Sequence, residues 1–212
     1  TMSRSAILDA LHRAVDGGST VVAVAAAGGT TIDFACDDLD TVSDAVDEFV
    51  DARRPIVRPY LHCDAVIGWA YLAGSVPDLS TRPADAFRQR ATTIRRRLEG
   101  LRRFDSFGAD FHKTGLCPYA SSFFVARDHR FMDDLGTGDH HFDANDFTFG
   151  QLRAYRYTAE NTRSVAGTLS AWVNLLRLGK QGLVDYVESL HAHRAAGHAG
   201  GRRSCRRFSG LG

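Results

Sequence analysis

Only two lysines, Lys113 and Lys180, stand among the 26 Lys and Arg residues of this 212-residue chain. Arginine serves wherever a bare positive charge suffices. A lysine kept against that habit is a candidate for what a guanidinium cannot do: lose a proton and bond covalently to a carbonyl. Lys113 lies in "FGADFHKTG", directly after His112 and at the end of a predicted strand. Open α/β sheets gather their ligands at such strand ends. A lysine desolvated there would offer more free amine for Schiff-base formation. The plain alternative is a solvated surface lysine.

A second candidate is Asp64, which closes the apolar stretch "YLHCDAVIG". A buried carboxylate is costly without a cation. A pyridinium nitrogen would explain it, and so would an ion pair with one of the many arginines. "GGTT" at 28–31 follows the first predicted strand and on its own is equally a plain turn. His140 and His141, with Asp139 and Asp143, resemble a metal cluster, but adjacent histidines in a glycine-rich loop lack zinc spacing. No metal is expected. The sequence contains no GxGxxG, GxxxxGK[ST] or GxSxG, the signatures of dinucleotide, nucleotide-phosphate and serine-hydrolase sites.

These residues need elements to position them. "TVVAVAA" (20–26) predicts a buried strand, and an Asp37 or Asp38 cap opens a helix with Leu39, Val42, Val46, Phe49 and Val50 on one face. "YLHCDAVIG" (60–68) predicts the next strand, giving a βαβ unit with parallel strands. Residues 73–84 read as loop. A helix over about 85–103 turns Phe87, Ala91, Ile94, Leu98 and Leu101 inward, and its arginines read as a solvated face rather than a nucleic-acid groove. A strand at 104–110 precedes the lysine, and "ASSFFVARD" predicts an antiparallel partner. After a polar loop at 133–150, a long helix carries Val165, Leu169, Trp172, Val173 and Leu176 as far as "GKQG". A further helix carries Leu183, Val184, Val187 and Leu190.

Composition sets the outer limits. The chain is 44% hydrophobic and 24% charged, as expected of a globular protein, and no run of about 18 apolar residues suggests a membrane span. The N-terminal segment lacks the pattern of a signal peptide. Four scattered cysteines, with no CxxC pair, read as small buried apolar groups in a reducing, cytoplasmic compartment. The formal charge of +1 hides an asymmetry, because Arg194 to Gly212 holds five arginines and no acid. The remainder has 21 basic and 25 acidic residues. Residues 193–212 are expected to form a disordered Arg/Gly-rich tail, and no nucleic-acid partner is indicated.

In order along the chain, "VAAAGGTT", "IDFACDDLDTV", "YLHCDAVIG", "DSFGADFHKTGLCPY" and "TRSVAGTLSAW" resemble the group II pyridoxal-phosphate (PLP)-dependent amino-acid decarboxylases. "HCDA" and "DFHK" are the most specific pieces. The resemblance covers residues 5 to 192 and implies an α/β fold, part of the large domain of a fold type I PLP enzyme. Residues 1–192 would be its central and C-terminal part, with a mostly parallel sheet flanked by helices.

The resemblance also implies roles. Lys113 would carry PLP as a Schiff base, Asp64 would pair with the pyridine nitrogen, and His112 would lie near the phosphate. Thr31 would lie near the ring and Asp64, Val66 would pack on one ring face, and Arg163 would stand on the substrate side. The implied reaction converts an amino acid to its amine and carbon dioxide, in a homodimer when the enzyme is full-length. Two features depart from the family pattern: a longer interval between Asp64 and Lys113, and no tyrosine in the loop at 133–150. Family segments upstream of this region and the small C-terminal domain have no counterpart in these residues. The isolated chain is therefore expected to bind cofactor weakly or not at all, and the tail has the look of a shifted reading frame. An aminotransferase, a carbon–carbon lyase or a non-catalytic remnant remain the alternatives.

Overall fold

The computed structural model of the chain describes residues 2–74, 86–128, 130–131 and 164–208, with backbone alone at 86–87 and 191–208. Helix α1 (Arg4–Asp16) starts at Ser3, whose hydroxyl accepts the Ala6 N–H at 3.2 Å. Strand β1 (Ala23–Ala27) follows, then helix α2 (Leu39–Arg53), β2 (Tyr60–Asp64) and a 3-10 helix (Gly68–Ala73). Helix α3 (Ala86–Arg97) and a second 3-10 helix (Glu99–Arg103) lead into β3 (Ser106–Asp110). A single-turn helix α4 (Phe111–Thr114), β4 (Ser122–Ala126) and α5 (Ala166–Phe208) complete the order.

The four strands form one sheet in the order β1-β2-β3-β4. β1, β2 and β3 run parallel, and β4 returns antiparallel to β3. The predicted βαβ unit is present, with α2 as the crossover. Asp38 caps α2 through its carboxylate, which accepts the Thr41 N–H at 3.0 Å. The 3.6-residue periodicity then places Leu39, Val42, Val46 and Phe49 on one face, each at most 1% exposed. Burying each contributes roughly 1.5–3 kcal/mol. They share a core with Ala26, Leu61, Cys63 and Ala109 from one face of the sheet.

The opposite sheet face differs from expectation. β1 was predicted to be buried on both faces, yet Ala23 and Ala25 are exposed and only Ala26 is fully buried. Side chains alternate across the pleat, so the face bearing Ala23 and Ala25 lies away from that core. β2 also ends earlier than its apolar run suggested, because Ala65 to Ile67 turn into the 3-10 helix.

Ala91, Ile94 and Leu98 are buried as the periodicity of α3 predicted, and Leu101 packs partly against the core. Its arginines are not simply solvated: Arg95 Nε donates to the Gly74 carbonyl at 2.9 Å and Arg97 to the Cys36 carbonyl at 3.1 Å. Arg103 binds Asp40, Asp44 and Asp47, which the spacing of α2 aligns on one face, at 3.2, 2.6 and 2.9 Å. α5 is interrupted at Gly179, where φ is 58°, matching the predicted break at "GKQG". Its backbone is helical as far as Phe208. Among the described residues, no helix is long and apolar enough to cross a membrane.

Candidate active site

β2 delivers Asp64 to the carboxyl end of the sheet. Its carbonyl accepts the Gly28 N–H at 2.7 Å, which ties the "GGTT" turn to β2. Its carboxylate accepts the Val66 N–H at 3.3 Å and reaches solvent. The desolvation argument for a partner therefore does not apply, since Asp64 is exposed. Among the described residues no arginine forms an ion pair with it. The chain turns sharply here because two backbones touch. A Cβ on Gly68 would lie 1.8 Å from the Gly28 carbonyl oxygen, and one on Gly28 would lie 2.9 Å from Cys63 Sγ.

β3 delivers a different arrangement. Its last residue, Asp110, has a side chain only 11% exposed, and its Oδ2 receives the Lys113 ammonium at 2.8 Å. The helical i,i+3 spacing of α4 aligns the two groups. His112 Nε2 stands 3.6 Å from the same oxygen, while its Nδ1 accepts the Ser121 N–H at 3.2 Å. Burial pushes the Asp110 carboxyl up, but hydrogen bonds from Lys113 and Ser122 and the nearby positive charge outweigh it and hold it below its ordinary value. Lys113 itself is 38% exposed, so the predicted desolvated lysine is instead a half-exposed amine in an ion pair.

Three hydrogen bonds join these strand ends. The Asp110 N–H donates to the Val66 carbonyl at 3.2 Å, Trp69 Nε1 to the Asp110 carbonyl at 3.1 Å, and the Thr114 hydroxyl to the Ile67 carbonyl at 3.0 Å. Trp69 stacks on Phe111 at 4.1 Å beneath them, and Asn174 of α5 donates to the Gly115 and Leu116 carbonyls. Asp64 pairs with Gly108 in register, two residues before Asp110, and a Cβ on Gly108 would touch the Val66 side chain at 3.4 Å. Lys113, His112, Asp64 and Val66 thus come from neighbouring, hydrogen-bonded strand ends. Thr31 lies exposed in the turn after β1. Arg163 and the His140/His141 cluster lie outside the described residues.

No protein-family model matches the chain, and no curated protein matches it. Solved structures do. Mouse CSAD superposes with a TM-score of 0.64 at 23% identity, covering 86% of this chain and 33% of that one. Oryza sativa TDC with PLP and tryptamine gives 0.60 at 21% identity over 86% and 32%. Lactobacillus brevis glutamate decarboxylase gives 0.60 at 18% identity over 90% and 38%. The fold is that of part of a fold type I PLP-enzyme large domain. The chain spans about a third of the length of the structures it matches.

Within that fold, sequence reasoning missed Asp110. The signal was present: an acid three residues before the lysine, at a strand-to-helix junction. It also missed Thr30, whose hydroxyl bonds Asp33 and accepts the Ala35 N–H at 2.8 Å to close the turn that carries Thr31. Cys36 and Cys63 are buried as expected, and burial pushes their thiols up to about 11 and about 12, which leaves them unreactive.

Proposed function

We propose that this chain is part of a PLP-dependent decarboxylase acting on an amino acid, with Lys113 as the residue that bonds the cofactor. The observation that carries this reading is the joining of two adjacent parallel strand ends, one presenting Asp64 and the other Lys113. The fold supports it, since the structures of similar fold include a glutamate decarboxylase and one, TDC, with PLP and tryptamine.

The residues fit the group. Lys113 offers a primary amine at the sheet's carboxyl edge, and Asp64 offers a carboxylate whose single described hydrogen bond, from Val66 N–H, leaves it able to meet a ring nitrogen. PLP bound there supplies a sink for the electron pair left when a bond to the amino acid's α-carbon breaks. Lys113 would hold the cofactor through its amine and could carry a proton at Nζ. Asp64 would hold negative charge toward the ring nitrogen, and Val66 would limit the space beside the ring. His112 and Thr31 are assigned to the cofactor's surroundings and Arg163 to the substrate. The full-length protein would work as a cytoplasmic homodimer.

Product analysis tests this. The gene's full-length product, given a panel of amino acids, is expected to release carbon dioxide and amine in equal amounts, and Lys113→Ala to abolish release. A keto acid product would instead indicate an aminotransferase. An aldehyde product from carbon–carbon cleavage would indicate a lyase. No turnover of any amino acid would leave a non-catalytic role.

A further inference from the structure

The cluster at the end of β3 contains a group that the proposed chemistry does not use. Asp110 is nearly buried, yet its carboxylate gathers the Lys113 ammonium at 2.8 Å and the Ser122 hydroxyl, with His112 Nε2 at 3.6 Å. Its backbone is fixed on both sides, by Val66 through the N–H and by Trp69 through the carbonyl. The Cα that bears this carboxylate is therefore held in place. The lysine side chain, in contrast, is a flexible four-carbon stem with 38% of its surface in solvent.

We propose that Asp110 is a positioning residue that parks the Lys113 amine in its charged form and so restrains its reaction with carbonyl compounds. This rests on the reading of Lys113 as the carbonyl-bonding lysine. In that condensation the ammonium first gives a proton to solvent. The nitrogen lone pair then bonds the carbonyl carbon, and the carbonyl oxygen leaves as water. Only the uncharged amine attacks, so a fixed anion 2.8 Å away opposes the first step. The groups facing the pair are His112 on α4, Ser122 on β4 and Tyr119, whose ring stands edge-on to His112 at 4.6 Å. From β2 the nearest titratable residue in register is Asp64, opposite Gly108. Asp110 alone contacts the amine among these.

The chain carries its own control, because Lys180 is the sole other lysine. Reductive methylation with formaldehyde and cyanoborohydride, followed by peptide mass analysis, reads the rate at Lys113 relative to Lys180. Asp110→Asn keeps the shape and removes the charge. It is expected to raise that ratio about threefold at neutral pH, discounted for the half-exposed amine. Asp110→Glu should restore the slow ratio. Should the Asn variant fail to fold, the unsubstituted chain gives the answer. The labelling rate at Lys113 itself should climb when salt is raised to about 1 M, where the screening length falls to roughly 3 Å. An unmoved ratio in the folded Asn variant, or no salt response in the unsubstituted chain, would overturn the proposal. A threefold rise without PLP fixation on Lys113 would leave Asp110's role standing and remove the cofactor reading instead.

Discussion

The carboxyl ends of β2 and β3 lie side by side, and each ends in an aspartate. Asp64 stands in solvent with one backbone N–H for company, while Asp110 is nearly buried and engages a lysine and a serine. The difference follows from what comes next in each chain segment. After Asp64 the backbone is drawn into the crossing with Gly28 and Gly68, and among the described residues the acid stays exposed. After Asp110 a helical turn places Lys113 back over it, and β4 returns Ser122 to its other side. Equal residues on equal strand ends therefore differ in chemistry: one is open to an incoming cation and the other is already satisfied within the chain.

The largest way to break this comparison is to destroy the crossing that positions both ends. Gly68→Ala would drive a methyl into the Gly28 carbonyl, at an expected cost of about 3 kcal/mol or more. Urea unfolding would measure it. Next comes the same substitution at both acids. Asp110→Ala should lose about 1–3 kcal/mol by leaving its partners unmet, and Asp64→Ala should stay within about 0.5 kcal/mol. Equal losses would erase the distinction. Thr114→Val, which removes the hydroxyl bonded to Ile67, should cost about 1 kcal/mol in the same experiment.

The smallest effect is the acid limb. The Asp110 carboxyl is held below its ordinary value, so its contribution is complete above that value of 3.8 and is lost as pH falls through the depressed one. Asp110→Asn should flatten this part of the stability-against-pH curve.

Much of this was legible in the sequence. The βαβ unit, the antiparallel return at β4, the inward faces of α2 and α3 and the break near Gly179 all follow from periodicity, caps and a glycine. Burial was harder to read. Leu169, Trp172, Val173 and Leu176 repeat at helical spacing before Gly179, yet each is about half exposed or more, whereas Leu183, Val184 and Val187 after it are buried. Periodicity reports a face, not what lies against it. The same limit applies at the site: "HCDA" and "DFHK" pointed to Asp64 and Lys113. That Asp64 would be exposed and Asp110 buried depended on a backbone crossing and a returning strand, neither of which local sequence encodes.

The central claim is that Lys113, on the strand end beside Asp64, is the amine that bonds PLP. The direct measurement incubates the full-length protein with PLP at millimolar concentration, reduces with borohydride and maps the modified peptide. The account predicts a phosphopyridoxyl group on Lys113 well in excess of Lys180, and less of it in Asp64→Asn. Equal modification of both lysines, or preference for Lys180, would contradict it.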